Sequence, residues 1–177
     1  MHQQLLLEKI SSVLTATDST YDEKLTQMLD KASRIFVTGA GRSGLVARFF
    51  SMRLMHAGYN VYIVGEIVTP SIQNGDLFIV ITGSGETETM IAFTKRAKQI
   101  GAKIVTISTK SKSTTADMSD LVIQIGNPDQ YGKVVGMPMG TTFELSTLIF
   151  LEATVSHIIH KKGIAEESMR AIHANLE

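Results

Sequence analysis

Between Arg34 and Gln124 the chain repeats one pattern: a short apolar run, a break of glycines and hydroxyls, then a longer stretch with apolar residues at helical spacing. The runs at Ile35–Thr38, Val61–Val64, Leu77–Ile81, Lys103–Ile107 and Leu121–Gln124 read as strands. Helical spacing predicts helices near Ser43–Ala57 and Thr87–Ile100, with a shorter piece over Thr114–Met118. Strands that are apolar throughout are covered on both faces, and helical crossovers between them make the sheet parallel. The pattern predicts an α/β fold with five parallel strands.

Two further patterns flank this core. "MHQQLLLEKISSVL" carries Leu6, Ile10, Val13 and Leu14 on one helical face, either packed on its own domain or reaching as an arm to a second subunit. Glu8 and Lys9 interrupt its leucine run and no small-residue cleavage site follows, so neither a signal peptide nor a membrane span is expected. "YDEKLTQMLDKA" reads as a second amphipathic helix with Leu25, Met28 and Leu29 inward, and the two helices together occupy about residues 3–31. Toward the other end, "GNPDQYGKVVGMPMG" has the Gly and Pro content that breaks any element. Thr142–Lys161 is then a long helix, apolar around much of its circumference through Phe143, Leu148, Leu151, Val155 and Ile158. Such a helix is buried on most sides, which in a small domain suggests a subunit interface. The chain shows no repeat, low-complexity tract or linker.

Composition narrows the function classes. The 177 residues, 44% of them hydrophobic, suffice for one α/β domain over 1–177 and are too few for a dinucleotide domain plus a substrate domain. Lys+Arg and Asp+Glu balance at 17 each, so the chain lacks the positive charge that favours nucleic acid or an anionic membrane. Neither partner is expected. The absence of cysteine excludes disulfides, a thiolate nucleophile and Cys-built zinc sites, and it suits a cytoplasmic protein.

The candidate chemistry sits in two loops. "GAGRSG", with Gly39, Gly41 and Gly44, fits the dinucleotide fingerprint, and Glu66 falls about where a ribose-binding acid would sit. A second, similar loop weighs against that reading: "TGSGETETM" also ends a strand and opens a helix. Small residues let backbone N–H groups approach an anion, hydroxyls donate to its oxygens, and the helix N-terminus adds partial positive charge. Ser43, Thr82, Ser84 and Thr87 make a hydroxyl-rich site suited to a phosphate monoester, although any one of them alone is an ordinary helix cap. Both loops follow neighbouring strands at the carboxyl edge, where a topological switch would place the ligand.

Together "VTGAGRSG", "RLMHAGYNVYIVGE", "TGSGETETM" and "GTTFELSTLIFLEA" resemble the sugar isomerase (SIS) domain and, within it, the 6-phospho-3-hexuloisomerases. The likeness runs from about residue 30 to the terminal "HANLE". It implies a three-layer, flavodoxin-like α-β-α sandwich, a homotetramer, and neither a nicotinamide cofactor nor a metal. It implies a phosphorylated ketohexose substrate, D-arabino-hex-3-ulose 6-phosphate, converted to fructose 6-phosphate beside hexulose-6-phosphate synthase in the ribulose monophosphate pathway. Two rivals are an isomerase of an arabinose or heptose phosphate and a phosphosugar-sensing module; sensors of that kind carry an effector domain for which this chain has no room.

Moving a carbonyl from C3 to C2 takes one proton from C2 and returns one to C3 through a cis-enediol, and a single carboxylate over one face can make both transfers. The resemblance aligns Glu144 with the family's proton acceptor, while the sequence itself also fits a capping box, Thr141-Thr142-Phe143-Glu144. Glu152, two turns later and about 80° round the helix, reads as a polar contact. His173 is a candidate to shuttle hydroxyl protons in a neighbouring subunit's site, with His56 as its competitor. Arg42 could hold the phosphate or the enediolate oxygen. Gly83, Gly85 and Glu86 complete the expected substrate-binding loop; acids such as Glu86 and Glu88 are favoured at a helix start in any case and are not expected to be catalytic.

Overall fold

The computed structural model describes residues 2–132 and 136–176. Its five apolar runs form one sheet: β1 (Ile35–Gly39), β2 (Val61–Ile63), β3 (Leu77–Ile81), β4 (Lys103–Ser108) and β5 (Leu121–Gln124). All neighbours are parallel, in the order β2-β1-β3-β4-β5. The helices are α1 (His2–Ala16), α2 (Tyr21–Lys31), α3 (Arg42–His56), α4 (Glu88–Ile100), α5 (Thr141–Lys162) and α6 (Glu166–Ala171).

Alternate residues of the central strands serve opposite faces, and both faces are apolar. Val37, Ile79, Ile81 and Ile107 join a core with α1, α2, α3 and α5, whereas Phe36, Phe78, Val80 and Ile104 pack on α4 through Met90 and Ala97. The result is the expected three-layer sandwich.

The apolar circumference of α5 has a local explanation. Its 22 residues have the length and hydropathy of a membrane span, but α1, α2 and α3 of the same chain pack around it. Phe143, Leu151, Val155 and Ile158 are buried there, and among the described residues of α5 Ile149 is the large apolar side chain left exposed. The apolar pattern of α5 therefore does not require a second subunit. Helix α1 likewise sends Val13 into this core and buries Ile10, as the own-domain alternative expects, while Leu5 and Leu7 stay exposed.

The segment expected to lack any element contains a short 3-10 helix, Pro128–Tyr131, closed by a capping box between Asn127 and Gln130. Asn followed by Pro is a helix-start signal, so one turn forms even in a Gly-rich stretch. Gln130 also donates to the carbonyl and hydroxyl of Ser12 in α1, at 3.1 and 2.9 Å. Residues 133–135 of this segment lie outside the described residues.

Candidate active site

The sheet order reverses between β1 and β3: β1 leads outward to β2, and β3 leads the other way to β4. Ile35 pairs with Leu77 and Gly39 with Ile81, so the two strands end level and their loops lie side by side. In the first loop the glycines solve a packing problem. A Cβ on Gly39 would come within 2.7 Å of the Ser43 backbone, and one on Gly44 within 2.7 Å of the Gly39 carbonyl oxygen. The chain turns between them at Gly41, with φ +57°. This close approach lets α3 start directly over β1 and brings Ser43 to a cleft of about 790 Å³.

The second loop divides its residues between ligand space and support. Gly83 and Ser84 line the cleft. The Ser84 hydroxyl oxygen accepts the Glu86 N–H at 3.1 Å, which leaves its own proton free to donate. Thr82, Gly85, Glu86 and Thr87, also expected in the substrate-binding loop, sit just behind Gly83 and Ser84. Thr82 is buried, accepts the Gly85 N–H at 3.3 Å and lies 3.4 Å from the Thr87 hydroxyl. Gly85 has φ +72° and packs where a Cβ would collide with Ser113. The Glu86 carboxylate accepts from the Thr114 N–H and hydroxyl at 2.8 and 2.7 Å, and these bonds hold its pKa below the usual carboxylate value. All four fix the shape of the loop.

Glu144 also lines the cleft, at the start of α5, with its side chain 12% exposed. The capping box does not form: Gly140, at φ +88°, takes the N-cap position and no side chain caps the helix. The Glu144 carboxylate instead pairs with Arg42 of α3. Arg42, expected to hold the phosphate or the enediolate oxygen, thus stands beside the candidate base, with its side chain 60% exposed. Glycine at Gly140 also lets the Glu144 carboxylate lie close over the helix start, where a Cβ would come within 2.7 Å of Glu144 Oε1 and displace it.

His173 is not brought to this site within the chain. Its ring stacks on His56, with centroids 5.2 Å apart and planes 16° from parallel. His56 ends α3 and Arg42 begins it, a separation of about 21 Å along the helix at 1.5 Å per residue. His56 is buried with Nε2 unpartnered, and burial, with the neighbouring His173 and Arg53, pushes its pKa down. Glu152 pairs with Arg53 at 3.1 Å on the flank of the same two helices, and Glu66 pairs with Arg48. Among the described residues no three His, Asp or Glu side chains gather as a metal site.

Among the contributors to the cleft that sequence reasoning missed are Thr109, Lys110 and Tyr131. Thr109 donates to the Gly83 carbonyl through both its N–H (3.1 Å) and its hydroxyl (2.8 Å), stitching the loop after β4 to the loop after β3. The signal was the hydroxyl-rich "STKSKSTT" at the end of the strand beside β3. Tyr131 donates to the Ile125 carbonyl and packs edge-on against Phe143, and burial pushes its phenol pKa up.

The chain can now be compared with known proteins. A sequence model of the SIS domain matches residues 28–155. A 3-hexulose-6-phosphate isomerase of Methylomonas aminofaciens is 56% identical over 178 residues, covering 99% of this chain and 98% of the relative. One of Bacillus subtilis is 41% identical over 164 residues, 88% of each chain. The crystal structure of a Methanococcus jannaschii protein, for which a function of 3-hexulose-6-phosphate isomerase was inferred, has a TM-score of 0.89 at 34% identity and covers 99% of both chains.

Proposed function

The chain belongs to the SIS-domain family as a phosphosugar isomerase, and we propose that it converts D-arabino-hex-3-ulose 6-phosphate to D-fructose 6-phosphate. The observation that carries this reading is one carboxylate, Glu144, lining a single cleft together with Ser43 and Ser84 from two hydroxyl-bearing glycine loops. Ser43 and Ser84 hold the phosphate, and Glu144 faces the C2–C3 bond. Glu144 takes the proton from C2 while the C3 oxygen gains one, giving the cis-enediol. The C2 hydroxyl then releases its proton as C2=O forms, and Glu144 returns a proton to C3. No atom or electron is gained or lost, so the reaction balances without a hydride acceptor, and dialysed enzyme is expected to turn over without added nicotinamide or metal.

Arg42 keeps the Glu144 carboxylate turned toward the cleft between transfers. The shuttle for hydroxyl protons is His173 of a neighbouring copy in a homotetramer, a reading supported by Leu45, Phe49 and Met52, an exposed apolar stripe on α3. The substrate would come from hexulose-6-phosphate synthase in the cytoplasm. Incubation with a panel of ketose and aldose phosphates, followed by NMR, tests the reading. Conversion of hex-3-ulose 6-phosphate to fructose 6-phosphate is the expected result; turnover of an arabinose or heptose phosphate instead would replace it, and no turnover of any would leave a binding module.

A further inference from the structure

The cleft has an asymmetry of charge that its hydroxyls do not explain. The three arginines of α3 in this region are all spent on carboxylates: Arg42 on Glu144, Arg48 on Glu66 and Arg53 on Glu152. Lys110 lines the cleft and makes no ion pair among the described residues. Its charge is felt by Glu86, but that carboxylate is held by Thr114.

The place of Lys110 is built. Ser108, fully buried, donates to the Lys110 carbonyl and accepts its N–H at 3.2 Å. One residue back, Thr109 is bonded twice to Gly83, the residue before Ser84. Lys110 and Ser84 therefore each stand one residue from the same stitch, and both line the cleft that Glu144 also lines. A phosphate monoester carries roughly 1.5 to 2 negative charges near neutral pH, and hydroxyls offer it dipoles without charge.

We propose that Lys110 is the cation of the phosphate site, and that it selects phosphorylated over neutral sugars and sets which end of the sugar faces Glu144. This rests on the phosphosugar isomerase reading and adds to it a residue and a polarity: phosphate toward β3 and β4, reacting carbons toward α5.

The test uses Lys110→Met, Lys110→Arg and Lys112→Met in the full chain. Lys112 also lacks an ion pair among the described residues but does not line the cleft, so its variant makes the same change in net charge away from the site. Lys110→Met is expected to raise KM for the ketose phosphate about 10- to 100-fold, the scale of a hydrogen bond to a charged group, with kcat within about twofold. Its KM should also respond less to added salt than that of the parent. Lys110→Arg should recover most of the loss, and Lys112→Met should be silent. An unchanged KM in Lys110→Met, an equal rise in Lys112→Met, or a loss confined to kcat would overturn the proposal. A parent protein that turns over no ketose phosphate, yet binds fructose 6-phosphate in a Lys110-dependent and salt-sensitive way, would sink the isomerase reading and support this one.

Discussion

Helices α3 and α5 are tied by two Arg–Glu pairs built from the same side chains, and they sit in unlike surroundings. Arg53–Glu152 lies on the flank, with both side chains more than a third exposed. Water screens such a pair, and its contribution to stability is about 0–1 kcal/mol. Arg42–Glu144 lies at the carboxyl edge, where the Glu144 side chain is 12% exposed and borders a cleft of about 790 Å³. Arg42 pairs with that carboxylate, which also borders the cleft. On the proposed function, what separates Glu144 from Glu152 is thus the cleft beside it.

The sharpest way to break the comparison is to make both carboxylates amides. Glu144→Gln keeps size and hydrogen-bonding capacity but cannot accept a proton from carbon, so kcat should fall by about 10²–10⁴ or more. Binding of fructose 6-phosphate should persist, placing the loss in kcat and not in KM. Near-normal turnover in the folded variant would remove Glu144 as the base and pass the role to Glu152 or a histidine. Next in size is the loop after β3. Ser84→Ala deletes the hydroxyl proton that the loop leaves free and should weaken substrate binding by about 1.5–3 kcal/mol, read as KM. An unchanged KM would place the phosphate elsewhere. Smaller again, Glu152→Gln should leave kcat and KM as they are and shift the urea midpoint by no more than about 1 kcal/mol. A dead Glu152→Gln enzyme would invert the comparison.

These surroundings were only partly legible in the residues. The central strand Leu77–Ile81 matches its apolar run end to end, because burial on both sides leaves no polar position to blur it, and the edge strand Leu121–Gln124 matches too, although only Ile123 is fully buried. Ladder bonding carries β1 and β4 one residue past the predicted ends, to Gly39 and Ser108, where hydropathy gives no signal. In the site, glycine spacing located the turn that delivers Ser43 and the loop that delivers Ser84. It could not say which hydroxyls approach one another: those of Thr82 and Thr87 lie 3.4 Å apart. Thr141 looked like a cap because it is a hydroxyl three residues before Glu144. Gly140, in a left-handed conformation, takes that position instead and frees Glu144 for Arg42. Lys110 and Tyr131 reach the cleft only through contacts distant in sequence, the stitch from Thr109 to Gly83 and the helical turn anchored on Ser12.

The smallest predicted effect concerns the far end of α3, where His56 provides the contrast to Arg42. Arg42 gains a carboxylate, whereas His56 is buried against His173 with Nε2 unpartnered. Burial first, then the charges of His173 and Arg53, lowers its folded pKa below the ordinary value of 6.5. The unfolded chain therefore takes up the proton before the folded one does. Above about pH 6.5 both states are neutral at this residue and its contribution is fully present; as pH falls below that value toward the folded pKa, stability is lost. Urea midpoints at pH 7.5 and 5.5 should thus differ more in the parent than in His56→Gln, whose amide does not titrate. Reading the slope, not the absolute midpoint, removes the packing change that the substitution itself introduces. Equal slopes would mean that the folded protein accommodates the imidazolium, and that the stacked pair is as open to protons as the flank of α3.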